Sequence, residues 1–333
     1  MKRMHTTDIT RRAALGALAL VTTGSVWAQG FGGKTIRMLV GFAPGGASDA
    51  AARIYAAKLQ ELLGTPVIVE NKPGAMQLMA ARPTMSAAPD GMTLWFATSS
   101  SLVQSAGVRS DIPFDPLKSF TPIAKVADVD GIFAVRSSLG VNSMRELLAY
   151  VRAHPGKLNY ASAGVGSANH LLTEYVKLLT KTFITHIPYR NDSDVVRELV
   201  GETVDFAIVG SGSIAQFAGN PKVRFIAITG SSRSRAMPDV PTVAESGIPE
   251  LRDLGEYLFY AVMGPPGMPP AMVQSLNEAL TKAATSPDVV DKLEKQFFRP
   301  SSSTPAEFRT HVEKQLAVWK NVGKTLKLDV SNS

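Results

Sequence analysis

Two glycine-rich stretches carry the residues best suited to chemistry in this chain, and the chemistry they suit is the capture of an anion. The first is Gly41-Phe42-Ala43-Pro44-Gly45-Gly46-Ala47-Ser48-Asp49, and the second is Ala161-Ser162-Ala163-Gly164-Val165-Gly166-Ser167. Each lies between a strand-like run and a helix-like run. A helix N-terminus leaves its first four amides unpaired and carries about half a positive charge. Such a turn can therefore hold a carboxylate or phosphate without a cationic side chain, and glycine lets an oxygen approach the backbone closely. Ser48 and Ser167 are expected N-caps. Asp49 is expected to favour the helix dipole rather than touch the ligand, because an acid repels an anion. Thr98-Ser99-Ser100, after another strand-like run, adds hydroxyls at the same edge.

Other chemistries find less support. The chain has no cysteine, which excludes disulfides, a lipid-anchoring cysteine, a thiol nucleophile and a cysteine metal site. None of His154, His170, His186 and His311 lies in an H-E-x-x-H pattern, so each reads as a surface or packing residue, with His170 the one on a helix facing the cleft. An enzyme is the main rival class. Gly210-Ser211-Gly212-Ser213-Ile214-Ala215 fits the loose dinucleotide pattern, but no acid falls between Gly210 and Pro238 to hold a ribose. No G-x-S-x-G elbow occurs, and no cofactor or metal is expected. The formal charge is +7, and residues 1–28 hold four Lys/Arg and one acid, so +4 remains beyond them. Basic and acidic residues alternate without a Lys/Arg block, which argues against nucleic acid.

The elements that must position these turns follow from the pattern. Lys2, Arg3, Arg11 and Arg12 precede an uncharged run from Ala13 to Val26, ending in Val26-Trp27-Ala28. This reads as an export signal over residues 1–28, cut near Ala28/Gln29, with the Tat and Sec routes both open. About 300 remaining residues exceed what one core usually serves, which favours two lobes. Ile36 to Val40 is a strand, and the apolar spacing of Ala51, Ile54, Tyr55, Leu59 and Leu62 is helical until Gly64. Val67 to Val69 and Thr93 to Ala97 are further strands. A second series runs through Gly131 to Val135, Leu158 to Ala161, Ile184 to Ile187, Val204 to Val209 and Arg224 to Thr229, with helices between. Alternation of this kind implies an α/β protein with mostly parallel sheets. The tail from Pro269 to about Leu326 reads as helical and is expected to return to the first lobe. The lobes then comprise residues 29–130 with 257–333, and 131–256.

Several segments, in order, resemble the Bug family, the periplasmic receptors of tripartite tricarboxylate transporters. They are Gly41 to Asp49, Val69-Glu70-Asn71-Lys72-Pro73-Gly74-Ala75, Ala88-Pro89-Asp90-Gly91, Pro113-Phe114-Asp115-Pro116, Pro155 to Ser162, His186-Ile187-Pro188-Tyr189 and Pro238 to Gly247. The resemblance spans about Lys34 to about Val330. It implies a type II periplasmic-binding-protein fold and a carboxylate held in an interlobe cleft. It also implies inner-membrane transporter subunits as partners, a monomeric receptor, and no enzymatic activity. By motif, the first lobe offers Phe42, Pro44, Gly45, Gly46, Ala75, Thr98, Ser99 and Ser100. The second offers Ala163, Gly164, Val165, Gly166, Ser167, His170 and Tyr189, and Ser48, Met76 and Ser211 complete the candidate set. The chain departs from the family at Met76-Gln77-Leu78-Met79, where further glycines are usual; the methionines either line the pocket or pack in the core. Tyr189-Arg190-Asn191 replaces Tyr-Lys-Gly, and Ile208-Val209-Gly210-Ser211 lacks the usual polar pair. Reporting the ligand to a sensor kinase instead of a transporter is an open alternative.

Overall fold

Strand β1 (Ile36–Val40) sends Ile36, Met38 and Val40 into one buried cluster and Leu39 into another, so its sheet is covered on both faces. The computed structural model describes residues 31, 33–230, 232–252 and 254–326; the export signal expected over residues 1–28 lies outside them. The chain continues through α1 (Ala47–Leu63), β2 (Val67–Asn71), α2 (Leu78–Met85), β3 (Thr93–Thr98), α3 (Ala106–Val108) and β4 (Thr121–Val129). It then builds a second sheet from β5 (Gly131–Arg136), β6 (Asn159–Ser162), β7 (Thr185–Pro188), β8 (Phe206–Gly210) and β9 (Val223–Ile228). Between these strands lie α4 (Met144–Ala153), α5 (Ala168–Thr180), α6 (Asp192–Val200) and α7 (Ser211–Ile214). The return leg is β10 (Leu258–Gly264), α8 (Pro270–Thr285), α9 (Pro287–Lys295), β11 (Phe298–Pro300) and α10 (Pro305–Leu326).

The first sheet has the order β11-β4-β10-β3-β1-β2 and the second β7-β6-β8-β5-β9. Both are mixed, which corrects the expectation of mostly parallel sheets. The reason lies in the crossings between lobes. β1 and β3 finish at the cleft edge, whereas β10 arrives from the other lobe, enters at that edge and runs antiparallel to β3 and β4. β5 does the same between β8 and β9. β4 and β10 were not read from the sequence. Helices cover each face. Tyr55 and Leu59 of α1 pack with Leu276 and Leu280 of α8 on one side of the first sheet, and Phe308, Val312 and Trp319 of α10 pack on the other. Each such fully buried side chain contributes roughly 1.5–3 kcal/mol.

The hinge is built around glycine. The ring of Tyr257 lies on Gly131 and Gly210, where an added Cβ would stand 2.8 Å and 3.3 Å from it. Beside them buried Asp130 pairs with Arg299 at 2.6 Å. Burial pushes the Asp130 pKa up to about 6, and the Arg299 guanidinium offsets part of that rise. Gly131→Ala forces a methyl into the Tyr257 ring and is expected to cost about 1–3 kcal/mol, measured as a lower urea midpoint at unchanged slope.

Candidate ligand-binding site

The first glycine turn is braced from below. Asp49 Oδ2 accepts the Gly45 amide at 2.9 Å and Arg53 Nε at 3.0 Å, while its Oδ1 accepts Asn71 Nδ2 at 2.8 Å. Asn71 Nδ2 also donates to Phe42 O at 3.0 Å. Burial works to raise the Asp49 pKa, but these hydrogen bonds outweigh it and hold the carboxyl below its ordinary value. Asp49 thus shapes the loop from behind. The N-cap of α1 is Gly46, at φ −80° and ψ 171° with no side-chain cap. This corrects the assignment of Ser48, which is the second helical residue, buried and bonded to the Tyr260 hydroxyl. Gly45, at φ 85°, makes the turn, and the helix starts as soon as Gly46 is passed. Residues 42–47 are exposed. Among the described residues, the amides of Gly46, Ala47 and Ser48 have no partner in the protein. They form a bare donor crown at the positive end of a 17-residue helix.

Beneath the crown sits a residue that the sequence reading passed over. Ala75, Met76 and Gln77 have φ of 45°, 52° and 71°, a left-handed run without glycine. Such positions cost about 1–3 kcal/mol each and cluster where a site requires them. The run drives Gln77 inward, to 1% exposure, against Gly41, where a Cβ would stand 2.4 Å from the Gln77 side chain. Gln77 Nε2 donates to Thr98 Oγ1 and, at 2.7 Å, to Ser101 Oγ. Thr98 Oγ1 also lies 2.7 Å from Ser100 Oγ, and Ser99 Oγ accepts the Phe259 amide at 3.1 Å. Thr98 and Ser99 are therefore buried and spent within the lobe, and only Ser100 is partly open. Met76 turns outward, its sulfur 3.5 Å from Arg109, and Met79 is exposed, so neither is core packing.

The second turn is organised differently. Ser167 caps α5 as expected, accepting the His170 amide, and three amides of the loop are held by side chains. Asn169 Oδ1 takes the Ala163 amide at 3.1 Å, Ser162 Oγ takes Gly164 at 3.2 Å, and His170 Nδ1 takes Gly166 at 3.2 Å. His170 is 5% exposed, with its ring against His186 and that of His186 stacked on Tyr160. Burial lowers both histidine pKa values, that of His186 to about 4, so both rings are neutral at pH 7. His170 braces the turn through Nδ1. Ser211 is buried, its hydroxyl donates to Phe297 O at 2.7 Å, and it ties α7 to the first lobe. Tyr189 is half-buried against the second core, its amide on Ser162 O at 2.8 Å. Asn169 was not anticipated. The first turn thus presents a run of bare amides, whereas in the second the Ala163, Gly164 and Gly166 amides are taken by the protein's own side chains and, among the described residues, that of exposed Val165 has no partner.

Both turns still carry apolar surface. Phe42 at 41%, Val165 at 42% and Met76 at 36% are among the few large apolar residues exposed. The turns follow β1 and β6, at the carboxyl ends of parallel strands, where open α/β sheets bind ligands. A two-lobed protein with an amide crown at that edge has the form of a solute-binding receptor.

Comparison with known proteins identifies the group. Residues 51–328 match the tripartite tricarboxylate transporter family receptor, and the chain belongs to that family. Protein BugT of Bordetella pertussis is 33% identical over 319 residues, covering 95% of this chain and 97% of the relative. An R. palustris protein solved with adipate superposes with a TM-score of 0.76 at 29% identity, over 88% of this chain and 97% of that one. MatC from Rhodopseudomonas palustris with bound malate gives 0.72 at 27%, over 87% and 99%. Members of this family are periplasmic solute receptors rather than enzymes.

Proposed function

We infer that this chain captures a small organic carboxylate between its lobes and presents the closed complex to the membrane subunits of a tripartite transporter. The bare N-terminus of α1 carries this reading: three unpartnered amides at the positive end of a helix suit a carboxylate oxygen. The adipate and malate held by two relatives are of the same chemical kind. Phe42, Met76 and Val165 suit a guest with a hydrocarbon body between polar ends. The lobes are assigned as residues 29–130 with 257–333, and 131–256, the receptor as a monomer, and the first 28 residues as its export signal.

Closure needs contact with both lobes. Shifting an equilibrium from 1:99 to 99:1 takes about 5.5 kcal/mol of differential binding. One helix terminus supplies about 0.3–2, and charge-assisted hydrogen bonds add about 1.5–3 each. The crown alone falls short, so the second lobe must contribute as well. A thermal-shift screen of C4 to C8 dicarboxylates and aromatic acids tests the reading. At least one acid is expected to raise Tm in a concentration-dependent way without being consumed. No shift with any of them at millimolar concentration would refute it.

A further inference from the structure

Gln77 sits on a left-handed backbone, φ 71°, pressed against Gly41, and its carboxamide is committed to donating. Ser101 fixes that direction. Its hydroxyl donates to Met76 O at 2.9 Å, and a carbonyl can only accept, so the proton of Ser101 is spent there. The amide atom 2.7 Å from Ser101 Oγ must then be a donor, which makes it Nε2 and not Oε1. The same Nε2 donates to Thr98 Oγ1. Turned over, the amide would set Oε1 against a hydroxyl with no proton left to give. As seated, Oε1 is buried and, among the described residues, has no partner, so the side chain forgoes one accepted bond to make two donated ones.

The consequence runs outward through two hydroxyls. Thr98 Oγ1 accepts from Gln77, so its own proton goes to its other neighbour, Ser100 Oγ, at 2.7 Å. Ser100 accepts in turn, and its proton has no acceptor among the described residues. Ser100 is also the partly open member of the chain, and it stands at the edge that carries the crown. β3 runs parallel beside β1 with Phe96 opposite Val40, so the two strands leave the sheet as neighbours, about 4.8 Å apart. One continues into Gly41 and the glycine turn, the other into Thr98, Ser99 and Ser100. The structure assigns Gln77 as a positioning residue for capture: it orders the Thr98 and Ser100 hydroxyls so that Ser100 turns its proton outward, as a donor to the carboxylate held by the α1 amides. Linked hydrogen bonds polarise one another, which strengthens the last donor of the row. This rests on the carboxylate reading above and deepens it.

Double-mutant cycles read by calorimetry on the purified protein test the assignment, with malate, adipate and any further acid that the thermal-shift screen selects as probes. In the wild type, Ser100→Ala is expected to weaken binding by about tenfold or more. Gln77→Met keeps the length of the side chain but donates nothing, and Thr98→Val keeps the shape but breaks the row at its middle. In either background the same Ser100→Ala change is expected to weaken binding by less than about threefold. A side chain that only supports the fold would leave the factor for Ser100→Ala as it is in the wild type. Equal factors in the wild type and in the folded variants therefore overturn the proposal, and so does a Ser100→Ala protein that binds as tightly as the wild type. Either result leaves the carboxylate reading intact. Thr98→Val carries the comparison alone should Gln77→Met fail to fold. Absence of binding by every acid removes the carboxylate reading and this proposal with it.

Discussion

Gly46→Asp is expected to leave the protein as stable as before, or slightly more stable, and to lower its affinity for a carboxylate by about 100-fold or more. The position tolerates the change. Its φ of −80° and ψ of 171° are those of an ordinary N-cap, and a Cβ there would meet only Ala43 O, at 3.7 Å. Aspartate and glycine differ by only a few tenths of a kcal/mol as caps. The new carboxylate would accept from the amides two and three residues on, those of Ser48 and Asp49, and so occupy the crown from within. A ligand that loses two charge-assisted hydrogen bonds forfeits about 3–6 kcal/mol, at 1.4 kcal/mol per decade of affinity, before charge repulsion is added. Gly45 is a poorer target because its φ of 85° strains any side chain. Gly46→Ala is the control: it leaves the amides bare and should weaken binding less than about tenfold. Unaltered calorimetric affinity in Gly46→Asp would show that the crown does not hold the ligand.

What was legible in the sequence was local. β1 and β3 announce themselves as apolar runs, and the first glycine turn shows its chemistry because the amides, glycines and helix are contiguous. β4 was hidden because Lys125 and Asp128 break its apolar run. Lys125 meets both Asp128 and Glu256 at 2.7 Å, an arrangement only the tertiary fold supplies. The His311 ring, 3.2 Å away, and the Lys125 ammonium outweigh the burial of Glu256 and hold its pKa down at about 2. Ser48 looked like a cap because serine suits that role, yet Ala47 and Ser48 are both acceptable inside a helix, and the backbone of Gly46 decides where it starts. The second turn misled for a different reason. Its glycines imply free amides, but Ser162 takes that of Gly164 and His170 reaches back four residues for that of Gly166. Gln77 was invisible because nothing in Ala75-Met76-Gln77 announces positive φ; the packing against Gly41 imposes it.

Asn169 is where that dependence is greatest, and Asn169→Leu is expected to cost about 3 kcal/mol, a fall in Tm of roughly 6–12 °C. The side chain is 1% exposed and serves four partners: the amides of Ala163 and His170, both at 3.1 Å, Ser167 Oγ at 2.6 Å and Asp192 at 3.0 Å. Leucine fills the space but leaves the Ala163 amide without an acceptor and Asp192 with one donor fewer. Each buried group so orphaned costs about 1–3 kcal/mol. Asn169→Asp separates volume from charge. It restores an acceptor for Ala163 while setting a second carboxylate beside Asp192, so the pair must share a proton and the folded-state pKa rises above the unfolded one. A raised carboxyl pKa places the stability on the acid side. Asn169→Asp is therefore expected to approach wild-type stability near pH 4 and to lose it as pH rises through the folded pKa, whereas Asn169→Leu should be destabilised at both ends. Urea midpoints for the two variants at pH 4 and pH 8 give the comparison. Parallel pH profiles would mean that Asp192 does not feel residue 169, and that the side chains on this wall of the cleft act independently.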